Sequence, residues 1–132
     1  MAKKILIIED EPPMIQVLTE YLDTPDYEIK SASNGIEGLL RVRNWGPDVI
    51  ICDIKMPVLD GLGFLNRLYF EEQKPTPVIM ISGYGNDSLI ESVWAAGAFD
   101  FQAKPIDPKQ LSFKVEQALE KGCDYVKDFL SR

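Results

Sequence analysis

Five short runs of apolar, largely β-branched residues recur along the chain, each followed by a longer segment whose apolar residues fall at helical spacing. No other feature limits the fold as strongly. The runs are Lys4–Ile8, Tyr27–Ala32, Val49–Cys52, Val78–Ile81 and Phe99–Ala103, and they read as strands. The segments between them are Met14–Leu22, Ile36–Trp45, Leu62–Phe70, Leu89–Ala96 and Leu111–Leu119, and they read as helices. Alternating strands and helices build right-handed βαβ units. The first, third and fourth runs are apolar almost throughout, which requires a parallel sheet covered on both faces. The expected fold is α/β and doubly wound, a (βα)5 three-layer sandwich around a five-stranded parallel sheet. Breakers stand where the alternation needs them: Pro12-Pro13 at a helix start, Asn34-Gly35 before the second helix, Gly46-Pro47 before the third strand, Pro75 and Pro77 before the fourth.

A chain of 132 residues with 45% hydrophobic content supports one domain with a real core. No internal repeat, linker or low-complexity tract interrupts it before residue 120. The net charge of −7 argues against direct contact with nucleic acid, because phosphate backbones select for clustered Lys and Arg. Ile5–Ile8 is too short for a signal sequence, and no run approaches the ~20 apolar residues of a membrane span. Cys52 lies in an apolar run and Cys123 is far from it, so neither a disulfide framework nor a CxxC metal site is suggested, and a reducing cytoplasm fits. The chain has no histidine. That excludes a Ser/His/Asp triad, a His-ligated metal and a phosphohistidine on this chain, leaving carboxylates, hydroxyls and lysine for any chemistry.

In an open parallel sheet, ligands bind beyond the carboxyl ends of the strands. The first strand ends on Glu9-Asp10, the third on Asp53, the fourth on Ser82 and the fifth on Lys104-Pro105. Consecutive acids at the end of a buried strand repel and call for a cation. An oxygen-rich set without soft ligands suits Mg²⁺, faced by Glu9 and Asp10.

The spacing of Glu9-Asp10, then CDIKMPVLDG (Cys52 to Gly61), MISGYG (Met80 to Gly85) and AGAFDFQAKP (Ala96 to Pro105) resembles the receiver domain of two-component response regulators, typified by the chemotaxis response regulator. The resemblance covers residues 3 to 120 and rests on four motifs in order at four consecutive strand ends. It implies a flavodoxin-like sandwich with strand order 2-1-3-4-5. It also implies that a sensor histidine kinase or phosphotransfer protein phosphorylates Asp53, with Ser82 donating a hydrogen bond to the phosphoryl group and Lys104 supplying a point charge. The implied Mg²⁺ ligands are Glu9, directly or through water, Asp10, Asp53 and the backbone carbonyl of Lys55. Pro105 in the family follows a cis peptide bond. Lys55 and Tyr84 stand where the family tunes phosphoryl lifetime, by flanking the path of the attacking water. Phe101 stands where the family often places a switch aromatic.

The resemblance makes the chain a phosphoacceptor with slow self-phosphatase activity rather than a dedicated enzyme. The fourth helix carries two apolar stripes, Leu89, Val93 and Ala96 toward the core and Ile90 with Trp94 on another side. The second stripe suggests that the signal leaves through the face of the fourth helix, fifth strand and fifth helix, toward an output domain, a partner protein or a phosphorylation-dependent homodimer. Read alone, the acids would be a solvated helix start favouring the dipole, and Trp94 a partly buried aromatic. Two other functions are weighed. A small flavin-binding carrier would need a Ser/Thr/Gly-rich phosphate loop after the first strand, where EDEPP would repel it. A phosphorylation-independent pseudo-receiver acting as a scaffold would typically have lost an acid, the acceptor or the lysine.

Residues 1–121 are expected to form the receiver. Residues 122–132 are expected to be a helical extension or the start of a linker, since Leu111, Val115, Ala118, Gly122, Tyr125 and Phe129 keep alternating steps of four and three. Both a tail that folds back and a helix leading to an output domain satisfy that spacing.

Overall fold

In the computed structural model, which describes residues 1–83 and 87–132, the five apolar runs become the five strands of one sheet. The elements are β1 (Lys3–Ile8), α1 (Pro12–Tyr21), β2 (Tyr27–Ala32), α2 (Gly35–Trp45), β3 (Val49–Asp53), α3 (Gly61–Asn66), β4 (Val78–Ser82), α4 (Asp87–Ala95), β5 (Asp100–Ala103), α5 (Pro108–Gln117) and α6 (Cys123–Leu130). The strands lie in the order β2-β1-β3-β4-β5, and every pairing is parallel. This is the doubly wound sandwich that the alternation and the resemblance imply.

Period-2 side-chain alternation divides each central strand between two cores. Leu6, Ile8, Ile50, Cys52, Val78 and Met80 join the layer that holds Leu39, Val42, Phe64, Leu68 and Val93. Ile5, Ile7, Val49, Ile51, Ile79 and Ile81 join the layer that holds Leu18, Leu111 and Val115. Both faces are dry, so both parities are apolar. At roughly 25 cal/mol per Å² of apolar surface, this burial is the main force holding the sheet and helices together.

Local chemistry sets the helix starts. Pro12 and Pro13 open α1, where an N–H would have no intrahelical partner. Asn34 accepts from Glu37 N at 2.9 Å, Asp60 from Gly63 N at 2.8 Å and Asp107 from Lys109 N at 2.9 Å, capping α2, α3 and α5. Gly46 ends α2 in the left-handed region with φ 68°.

Two helices depart from expectation. The single helix predicted over Leu62–Phe70 is α-helical only to Asn66 and continues as a π-helical stretch, Arg67–Glu71. The helix read over Leu111–Leu119 continues through a second π-helical stretch, Ala118–Gly122, into α6. An i→i+5 stretch moves the following residues round the helix axis. Val126 is therefore fully buried while Tyr125, assigned to the apolar seam by its spacing, is 40% exposed.

Candidate functional site

The strand register determines which side chains meet at the carboxyl edge. Ile8 pairs with Cys52, Asp53 with Ile81 and Ser82 with Ala103, so the residues just beyond these strands share one rim. Glu9 N donates to Ala32 O at 3.0 Å, which ties the first acid to the end of β2. Lys104 N donates to Ser82 O at 2.9 Å, which ties the lysine to the end of β4. The Lys104-Pro105 bond is cis.

Carboxylate oxygens of Glu9, Asp10 and Asp53 all lie within 4.8 Å of one another. Glu9 and Asp53 are buried and Asp10 is exposed. Lys104 Nζ donates to Glu9 Oε1 at 2.9 Å and to Asp53 Oδ2 at 3.4 Å, while Glu9 Oε2 accepts from Asp10 N at 3.0 Å. Two buried acids thus share one ammonium. Burial, with a hydrogen bond to Asp53, raises the Glu9 carboxyl to about 7 despite the opposing pull of Lys104. For Lys104, burial pulls the pKa down, but the Glu9 hydrogen bond and the Asp53 charge outweigh it and hold the ammonium above its ordinary value. Cys52, fully buried, is pushed well above the thiol range first by desolvation and then by the neighbouring acids, so it is not a nucleophile.

The loop after β3 presses on the backbone of Asp53. Gly61 N donates to Ile54 O at 2.8 Å, and a Cβ on Gly61 would stand 2.5 Å from Asp53 O and 2.8 Å from Ile54 Cα. The Asp60-Gly61 pair belongs to the loop architecture after β3, where the loop meets α3. Its closeness to Asp53 makes that architecture part of the site, and the DG pair was the available signal. The Glu9–Lys104 ion pair is not predicted by the sequence, in which the resemblance assigns Glu9 to the cation and Lys104 to the phosphoryl group.

Of the other residues singled out, Ser82 is fully buried at the end of β4 and Lys55 is exposed beside Asp53. Ile90 and Trp94 lie on α4, half-buried and exposed respectively. Phe101 is half-buried on β5, packed against the core layer that contains Val93. These three belong to neighbouring elements and stand outside the acidic cluster. Tyr84 lies outside the described residues.

A parallel α/β sandwich with carboxylates and one lysine gathered at the strand ends defines a class of acidic-pocket domains whose donor set suits a hard cation. Comparison identifies the family: residues 5–116 match the response regulator receiver domain, and the chain belongs to that family. It is a signalling domain of two-component response regulators. It is 33% identical over 91% of its length to a "Probable transcriptional regulator ycf27" of Pyropia yezoensis, of which it covers 49%. It is 37% identical over 77% of its length to "Protein-glutamate methylesterase/protein-glutamine glutaminase 3" of Vibrio cholerae, covering 29% of that protein. Among solved structures it superposes on the Vibrio cholerae chemotaxis protein CheY4 with a TM-score of 0.83 at 28% identity, covering 90% of this chain and 100% of that one. The chain thus spans about half or less of the length of these two curated relatives. Among the described residues, no helix is long and apolar enough to cross a membrane.

Proposed function

We propose that this receiver takes a phosphoryl group on Asp53 from a phosphohistidine of a sensor kinase or phosphotransfer protein, and that Mg²⁺ assists at Glu9, Asp10, Asp53 and the Lys55 carbonyl. The observation that carries the reading is the joint placement of Glu9, Asp10, Asp53 and Lys104. The donor set fits the ion: all identified side-chain ligands are carboxylates, and their oxygens lie within 4.8 Å of one another, near enough for one hard cation to draw them together. When bound, the ion would neutralise equatorial phosphoryl oxygens.

The remaining work falls to the chain. The Asp53 carboxylate attacks phosphorus in line, an O–P bond forms, and the N–P bond of the donor breaks with its electron pair returning to the imidazole. Lys104 exchanges part of its contact with Glu9 for a phosphoryl oxygen, and Ser82, next to it on the rim, donates to another. The acyl phosphate carries ~1.5 to 2 negative charges where the carboxylate carried one, and this change biases Phe101 and the α4–β5–α5 face, where Ile90 and Trp94 would meet an output domain, a partner or a second copy. Slow hydrolysis, tuned by Lys55 and Tyr84, resets the switch. In this reading residues 1–121 are the receiver and 122–132 its helical extension, working in the cytoplasm.

The pseudo-receiver alternative has no observation in its favour, since the acids, the acceptor and the lysine are all present. Phosphate-affinity electrophoresis after treatment with acetyl phosphate tests the proposal. A magnesium-dependent shifted band is expected, and a chain that never shifts rejects it.

A further inference from the structure

The helix that begins as α5 ends in the opposite layer of the molecule. Leu111, Val115 and Ala118 are buried in the layer shared with α1. Gly122 then passes Pro77 so closely that a Cβ would lie 2.5 Å from the proline ring. Beyond it, Val126 is fully buried in the other layer, the one containing Tyr69, Val78 and Ala98. Tyr125 meets Phe99 edge to face at 5.4 Å, and Phe129 packs against Tyr69 at 6.2 Å. Phe129 also covers Gly97, where φ is 101° and a Cβ would come within 2.7 Å of the ring.

These contacts fasten the helix to β5 at two points. Near its start, Lys114 Nζ donates to Phe101 O at 2.6 Å and pairs with Asp100 at 3.7 Å. Near its end, Tyr125 holds Phe99, the residue just before β5. The residue just after β5 is Lys104, whose ammonium lies between Glu9 and Asp53. At ~3.3 Å per residue, Phe99 and Lys104 are ~17 Å apart along one strand, with no flexible link between them. Hydrogen bonds from Phe99 N to Val78 O at 2.9 Å and from Lys104 N to Ser82 O at 2.9 Å hold both ends of that strand to β4.

We propose that α6 is a clasp on β5 and on the turn joining α4 to β5, shaped to the unphosphorylated arrangement and loosened when a phosphoryl group occupies the pocket. The inference rests on the phosphorylation proposed above. Drawing Lys104 toward the phosphoryl group displaces one end of a short strand whose other end lies under Tyr125, so the docking surface for Tyr125 and Phe129 differs between the two states. Coupling of this kind is reciprocal: what loosens the clasp must also favour occupancy of the pocket, by the same factor. The released segment would then offer the apolar face of Val126, Phe129 and Leu130 only in the signalling state.

The test uses the full chain with Mg²⁺ and beryllofluoride, a phosphoryl mimic, following pocket occupancy by fluorine NMR and amide exchange in residues 123–130 by mass spectrometry. Saturation should speed exchange there by about 5- to 150-fold, and Phe129→Ala or Val126→Ala should tighten beryllofluoride binding. Bound fluoride with unchanged or slower exchange in 123–130 overturns the clasp alone. So do variants that free α6 without tightening binding. Absence of bound fluoride at any concentration overturns the phosphorylation proposal and the clasp with it.

Discussion

Replacing Gly61 with alanine isolates the link between loop geometry and the placement of Asp53. The new Cβ would stand 2.5 Å from Asp53 O, 2.5 Å from Met80 Cε and 2.8 Å from Ile54 Cα. The Met80 methyl can swing away. The two backbone atoms cannot, and the gap to Ile54 Cα falls short of the ~3.5 Å optimum between carbons. Overpacking of this kind costs about 1–3 kcal/mol, a fall in melting temperature of roughly 4–12 °C for a chain of this size. Relief must come from moving the strand end that carries Asp53. An error of about 1 Å at a reacting group can cost 100-fold in rate. Gly61→Ala should therefore phosphorylate about 10- to 100-fold more slowly with acetyl phosphate at a temperature where it is fully folded. Gly46→Ala is the control: its φ is 68° but nothing lies within 4 Å, so it should lose about 1 kcal/mol with no change in rate. A Gly61→Ala protein that keeps the wild-type rate would refute the reasoning, whether or not it melts early.

Other consequences follow from the pocket and the α4 surface. Glu9 is raised from 4.5 to about 7, so the folded state holds an extra proton between those values; the metal-free protein should lose stability as pH rises through that window, and Mg²⁺ should flatten the curve, as urea titrations at several pH values would show. Lys104→Met removes the cation shared by Glu9 and Asp53, so metal-free stability should fall by about 1–3 kcal/mol at pH 8 and by less at pH 5, where Glu9 is protonated; a loss independent of pH would contradict the shared-ammonium account. Trp94 is 39% exposed, so Trp94→Ala should leave phosphorylation intact and abolish phosphorylation-dependent association, measured by light scattering with and without beryllofluoride.

The sequence was most legible where both sheet faces are buried. Runs such as Ile5–Ile8 and Val78–Ile81 are apolar at every position, so strand identity did not depend on seeing an alternation. Gly and Pro then marked the helix starts to within a few residues. The π-helical stretches were not legible, because the wider turn at Arg67–Glu71 or Ala118–Gly122 answers to packing against distant residues such as Pro77 and not to local propensity. That hid the change of phase which buries Val126 in place of Tyr125. The site residues were readable one by one as strand-end polar groups. Their mutual arrangement was not, because Lys104 and Glu9 are separated by 95 positions and meet only when β5 and β1 join one sheet.

The account stands most directly on the identity of the acceptor. Acetyl phosphate labelling in magnesium, followed by borohydride reduction and peptide mass spectrometry, should place one reduced residue at Asp53 in the wild type and none in Asp53→Asn. Equal labelling of the variant, or reduction at Glu9 or Asp10 in the wild type, would contradict it.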